Sequence, residues 1–151
     1  MLIAETAAFY KKQGMTLYDG LQALYKKYGY YDAKVTSFGL AGKDGLAKMG
    51  QLMIDLRANA PKEFAGKKVL AVRDYKKGTR VSAEGETKLE QPATNALYYE
   101  LEGDAWICIR PSGTEPKVKL YVNAVTDSAE GTANLLNELS DASVALLNSM
   151  I

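Results

Sequence analysis

The stretch Arg110-Pro111-Ser112-Gly113-Thr114-Glu115-Pro116 decides how this chain is read. An apolar run, Ala105-Trp106-Ile107-Cys108-Ile109, leads into it, and Lys117-Val118-Lys119-Leu120-Tyr121-Val122 leads out. Two such runs around a short Pro, Ser and Gly segment predict strand, tight loop, strand. The loop gathers a guanidinium, two hydroxyls and a glycine. Arg offers a planar fork of donors that fits two phosphate oxygens at once. Ser112 and Thr114 carry hydroxyl donors, and Gly113 lets backbone N–H groups approach an anion. Two readings follow: a phosphate-binding loop, or a polar hairpin turn with an Arg at a strand end. Chemistry alone does not separate them, because Ser, Gly, Thr and Pro are also ordinary turn residues.

Alternation extends the reading along the outgoing strand. Val118, Leu120 and Val122 fall on one face, while Lys117, Lys119 and Tyr121 fall on the other. The first set is candidate core. Lys119 can share a face with the loop and add a point charge to a bound phosphate, or stand as a solvated edge lysine. Glu115 would repel an anion, so it is expected to point away, and to pair with Lys117 or brace the loop.

Composition narrows the chemistry. With 151 residues, 47% hydrophobic and 25% charged, the chain is a globular domain able to bury a core. Nineteen Lys and Arg against 18 Asp and Glu leave a net charge of +1, which gives no global field for nucleic acid or an anionic membrane. An anionic ligand must be held by local charges. The single cysteine, Cys108, excludes an intramolecular disulfide and fits a reducing, cytoplasmic compartment; its apolar setting suggests buried filler. The absence of histidine removes Ser–His triads and most zinc sites. Met1-Leu2-Ile3-Ala4-Glu5 lacks the basic start of a signal peptide, and no apolar run approaches the ~18 residues of a membrane span.

Helices are expected over residues 2–13, stopped by Gly14, and from Leu17 to Gly29, where Thr16 and Asp19 form a capping box. The first begins without a lead-in or cap, as expected of a chain cut from inside a larger domain. Tyr30 to Phe38 reads as a strand. Asp44 to Asn59 reads as a helix with Leu46, Met49, Met53 and Leu56 on one face. Lys67 to Tyr75 is a strand in which Val69, Ala71 and Arg73 alternate with Leu70, Val72 and Asp74. Lys76 to Asn95 carries Gly78, Gly85 and Pro92 and is expected as an exposed irregular excursion. Ala96–Leu101 and Ala105–Arg110 form a hairpin about Gly103, and Lys117–Val125 follows the loop. Thr126 or Asp127 then caps a last helix that buries Leu135, Leu136, Leu139, Leu146, Leu147 and Met150.

These elements predict an α+β domain: a mostly antiparallel sheet of four to five strands with two helices on one face. Residues 1–30 would be a helical remnant of a preceding domain, and 31–151 the phosphate-binding domain. Asp74, Asp44 and Glu100 are candidate acids, but no spacing pairs them for acid–base work; solvated surface or structural hydrogen bonding is the expected role. Trp106 is expected in the core or facing a helix.

Arg110-Pro-Ser-Gly-Thr-Glu-Pro followed by Lys117-Val-Lys-Leu-Tyr resembles the signature of the C-terminal domain of the α-D-phosphohexomutases, and most closely their bacterial phosphoglucomutase branch. Thr16-Leu-Tyr-Asp-Gly-Leu with Tyr28-Gly-Tyr-Tyr is similar to the end of the family's third domain. Gly42-Lys-Asp-Gly-Leu, with Leu56-Arg57 and Arg73-Asp-Tyr, is similar to the entry into its fourth. Gln91-Pro-Ala-Thr-Asn-Ala-Leu is similar to the segment before its central hairpin.

The resemblance implies a four-domain parent whose last domain grips the phosphate that is not being transferred. It implies Arg110, Ser112, Gly113 and Thr114 as phosphate contacts, with Lys119 as a further one. The implied reaction is an isomerisation by phosphoryl transfer: glucose 1-phosphate and glucose 6-phosphate interconvert through glucose 1,6-bisphosphate, with Mg2+. The family's phosphoserine loop, its Asp-Gly-Asp magnesium loop and its sugar-selecting loop are absent from this sequence. No catalytic or metal-binding residue is therefore expected here, and the partners are the phosphosugar and the remaining domains. The alternatives are a phosphomannomutase fragment and a stand-alone phosphosugar-binding module.

Overall fold

The computed structural model describes residues 1–40, 44–113 and 115–151. The elements run α1 (Leu2–Lys12), α2 (Leu17–Tyr28), β1 (Tyr30–Gly39), α3 (Gly45–Ala58), β2 (Glu63–Phe64), β3 (Lys67–Asp74), β4 (Thr79–Ser82), β5 (Gly85–Lys88), β6 (Leu97–Leu101), β7 (Trp106–Pro111), β8 (Lys117–Thr126) and α4 (Ala129–Ser149). Seven strands join in the order β1-β8-β7-β6-β3-β4-β5, and β2 pairs with β3 off this path. Every pairing is antiparallel.

The class is α+β, as expected, but the described residues hold eight strands rather than four or five. Most of the difference is the β4–β5 hairpin, which lies inside the segment read as irregular. Gly-Glu-Thr-Lys of β5 is exposed throughout. An edge hairpin that buries no face carries no apolar alternation, so it has no strand signature in sequence.

The core lies on one side of the sheet. Ile107, Ile109, Val118, Leu120, Val122, Leu97, Tyr99 and Leu101 face Met49, Leu52, Met53 and Leu56 of α3 and Leu136, Leu139 and Leu147 of α4. These sheet residues alternate along their strands, so both helices cover the same face. Leu46 departs from expectation: it is exposed, and Leu52 takes its place in the buried stripe. The alternation expected along β3 is also broken. The register shifts between Val69 and Ala71, a bulge that leaves Leu70 exposed and puts Val69 on the same face as Val72.

Local signals mark both ends of α2 and the start of α4. Thr16 and Asp19 form the expected capping box. Gly29, at φ +102°, then turns the chain into β1, with Val125 too close to admit a Cβ. The cap of α4 is Ser128 rather than Thr126 or Asp127; its hydroxyl accepts from the Gly131 N–H at 3.1 Å. β8 runs on through Thr126, whose hydroxyl lies 2.9 Å from that of buried Thr132. No residue of α1 is buried, and Gly20 is the only buried residue of α2.

The face of the sheet away from the helices carries a charged cluster. There Glu100 of β6 accepts from Arg73 of β3 and, in bidentate fashion at 2.9 and 2.7 Å, from Arg80 of β4. The two guanidinium groups hold the Glu100 carboxyl down to about 2, Arg80 through its hydrogen bonds foremost. The same triad fastens the edge hairpin to the sheet.

A carboxyl held below its ordinary value of 4.5 stabilises the fold fully above that pH and loses the effect as pH falls toward about 2. The Glu100 side chain retains 22% of its surface in water, which screens the pair. Glu100→Gln is therefore expected to lower stability at pH 7 by about 1–2 kcal/mol, with the deficit shrinking below pH 4. Urea unfolding of both chains at pH 7, 4.5 and 3 checks this. An unchanging gap would show that the charge is immaterial.

Candidate functional site

The loop is set by the strands on either side of it. Ile109 and Leu120 pair across β7 and β8 and are fully buried, so Arg110 and its partner Lys119 must face away from the core. One step further, Pro111 pairs with Val118, and the Ser112 N–H donates to the Lys117 carbonyl at 2.7 Å. Beyond this hydrogen bond the chain leaves the ladder. The Lys117 N–H turns back onto the Glu115 carbonyl at 2.7 Å, and the Leu40 N–H reaches the Pro116 carbonyl at 2.8 Å. Gly45, the first residue of α3, lies so close to the Leu40 carbonyl that a Cβ there would collide with it and crowd Pro116. The start of α3 is thereby pressed against the end of the loop.

A cleft of about 360 Å3 opens beside the loop. Arg110, Pro111, Ser112 and Gly113 form one wall, Thr94 and Asn95 a second, and Leu46, Met49 and Gly50 of α3 the third. Of the residues expected to bind phosphate, Arg110, Ser112 and Gly113 are thus brought together. Lys119 stands directly across the ladder from Arg110 but does not line the cleft. Thr114 lies outside the described residues, as do Gly42 and Lys43.

The donors can be assigned singly. Among the described residues Arg110 forms no salt bridge. The Ser112 N–H is committed to Lys117, which leaves that residue its hydroxyl. Gly113 is exposed, and nothing lies within 4 Å of where a Cβ would stand, so its backbone is open to approach. Glu115 pairs with Lys117 at 3.1 Å, as expected. Both side chains are exposed, so the pair braces the loop weakly, by about 0–1 kcal/mol.

Behind the cleft lies a network that sequence reasoning missed. Arg57 of α3 donates Nε to Asp74 at 2.9 Å and Nη2 to the other carboxylate oxygen at 3.3 Å. Its Nη1 donates to the Met53 carbonyl at 3.0 Å, and Nη2 also reaches Asn95 Oδ1 at 2.7 Å. Asp74 further accepts from the N–H groups of Lys76 and Lys77. The side chains of Arg57 and Asp74 are only 12% and 9% exposed. Of the two roles expected for Asp74, structural hydrogen bonding is the one observed. Arg57 and Asp74 are 17 residues apart, and only the fold brings them together.

The remaining candidates face away from the cleft's helical wall. Glu100 is held in its arginine triad. Trp106 is neither in the core nor facing a helix: it is half-buried on the open face of the sheet, stacked on Tyr98 with ring centroids 5.1 Å apart. Cys108 shares that face and is half-buried; burial pushes its thiol up, with the Arg110 charge pulling the other way. Among the described residues no three His, Cys, Asp or Glu side chains cluster as a metal site.

The model of the phosphoglucomutase/phosphomannomutase C-terminal domain family matches residues 56–141, more than half of the chain. The chain belongs to this family. Phosphoglucomutase from Staphylococcus aureus (strain bovine RF122) is 33% identical over 140 residues, covering 91% of this chain and 25% of the relative. Phosphoglucomutase from Staphylococcus haemolyticus is 36% identical over 131 residues, covering 85% and 24%. The chain therefore spans about a quarter of the length of the curated relatives it matches. In fold it is similar to the open form of pp63/parafusin, a phosphoglucomutase from Paramecium, with a TM-score of 0.51 at 15% identity over 87% of this chain and 23% of that one. The matched span runs from the end of α3 through β2–β8 into α4 and includes the loop between β7 and β8.

The two ion pairs near the loop should differ sharply in worth. Asp74→Ala leaves a largely buried guanidinium without its charge partner and is expected to cost about 3 kcal/mol. Glu115→Ala should stay within about 0.5 kcal/mol of the unsubstituted chain. Chemical denaturation of both variants checks the contrast, and equal effects would contradict it.

Proposed function

We propose that the β7–β8 loop grips the non-transferred phosphate of a phosphosugar within a longer phosphohexomutase. The carrying observation is the cleft that gathers Arg110, Ser112 and Gly113 at one strand end, in a chain of this family. Arg110 supplies a charged fork, Ser112 a hydroxyl and Gly113 a backbone N–H. Charge-assisted bonds of this kind are stronger than neutral ones. Thr114 completes the loop, and Lys119, across the ladder from Arg110, adds positive charge from the neighbouring strand.

The reaction is the interconversion of glucose 1-phosphate and glucose 6-phosphate through glucose 1,6-bisphosphate. A bisphosphate intermediate presents either phosphate in turn, and a grip keyed to phosphate geometry serves both orientations. Energy from the non-reacting phosphate positions the reacting end. Glucose is preferred to mannose because the relatives cited above are named phosphoglucomutases. Residues 1–30 belong to the preceding domain and 31–151 to the phosphate-binding domain, a division supported by how little α1 and α2 bury. The Mg2+ that family resemblance implies is proposed to be held by the rest of the longer protein, and no step is routed through it here. No helix of the described residues is long and apolar enough to cross a membrane, and the cytoplasm is proposed as the working compartment.

Replacing Arg110 by Ala in the longer protein that carries this chain is expected to lower kcat/KM for glucose 1-phosphate by about 100-fold or more, roughly 3 kcal/mol of lost transition-state binding. The 151-residue chain alone should convert none of this substrate. Steady-state kinetics within threefold of the unsubstituted enzyme would remove the loop from the binding site.

A further inference from the structure

Asn95 borders both the buried network and the cleft. A guanidinium only donates hydrogen bonds, so the Asn95 atom 2.7 Å from Arg57 Nη2 must be the carbonyl oxygen. The NH2 group is therefore turned away from Arg57. It donates to no described residue, while Asn95 is half-buried and lines the cleft with Arg110, Ser112 and Gly113. The orientation is held firmly, because Arg57 is itself fixed by two hydrogen bonds to Asp74 and one to the Met53 carbonyl.

We propose that Asn95 is a further ligand-binding residue, its Nδ2 donating to an oxygen of the phosphate gripped by the loop, with Arg57 and Asp74 as the positioning residues that keep its amide in the donor orientation. This rests on the phosphate reading of the cleft. The chemistry is specific. A phosphate oxygen is an acceptor and needs a donor facing it. Left unanchored, the Asn95 amide could flip and present its oxygen to the anion; the Arg57 hydrogen bond forbids that. The relay begins at Asp74, on the last residue of β3, crosses to the end of α3 and returns to the segment before β6.

Asn95→Asp separates this role from a purely structural one. Aspartate retains an oxygen for Arg57 and replaces the NH2 with an anionic oxygen on the cleft side. The variant should unfold at an unchanged or higher denaturant midpoint. Its affinity for glucose 6-phosphate and for inorganic phosphate should fall at least tenfold, measured by 15N NMR titration of the 151-residue chain at the Gly113 amide. In the unsubstituted chain, the side-chain NH2 resonances of Asn95 should shift with either ligand, a readout that does not depend on the variant folding. Shifts at Gly113 with the Asn95 NH2 unmoved, or an Asn95→Asp chain that binds as well as the original, would overturn this inference and leave the phosphate reading standing. Ligand-independent spectra at both Gly113 and Asn95 would overturn the two together.

Discussion

The antiparallel pairing of β7 with β8 is the constraint on which the rest of the structure depends. Its register places Ile107, Ile109, Val118, Leu120 and Val122 under the two helices and Arg110 and Lys119 on the opposite side. Each fully buried aliphatic side chain contributes about 1.5–3 kcal/mol. A slip of one residue would exchange the two faces, so the register is strongly held. The final ladder bond, from Ser112 to Lys117, closes the hairpin at a defined point and leaves Gly113 outside it. The loop thus springs from two paired strand ends, the setting that an anion grip of the kind proposed needs.

Strand β3 ties the remainder of the sheet to this hairpin in two directions. Arg73 and Asp74 are consecutive and so face opposite sides. Arg73 joins Glu100 and, through it, Arg80 on the open face. Asp74 joins Arg57 and, through it, Asn95 on the helical face. One pair fastens an edge hairpin with no buried face of its own. The other connects the core side of the sheet to the cleft wall. The partly screened triad and the nearly dry pair differ in exposure, and hence in what their loss costs.

Much of this was legible in the sequence where a pattern is local. The Thr16–Asp19 capping box, the turn at Gly29, the central hairpin and the alternation of β8 all follow from neighbouring residues. Non-local features were not legible. Leu46 satisfies helical spacing yet lies at the mouth of the cleft rather than under the sheet. The bulge at Leu70 and the β4–β5 hairpin depend on what their strands pair with. Trp106 looks like core by residue type, but Ile107 and Ile109 claim the helical face and leave it the other. At the site, one contiguous motif supplied Arg110, Ser112 and Gly113. Arg57, Asp74 and Asn95 come from three separate elements and become a unit only after folding. Lys119 stands across the ladder from Arg110 and off the cleft.

The phosphate grip is tested most directly by a crystal structure of this chain, or of the longer protein that carries it, bound to glucose 6-phosphate. The expected result places the phosphate in the cleft, with its oxygens about 2.7–3.2 Å from the Gly113 N–H, the Ser112 hydroxyl and the Arg110 guanidinium. A phosphate seated instead against Arg73 and Arg80 on the open face of the sheet, with the cleft bare, would contradict it.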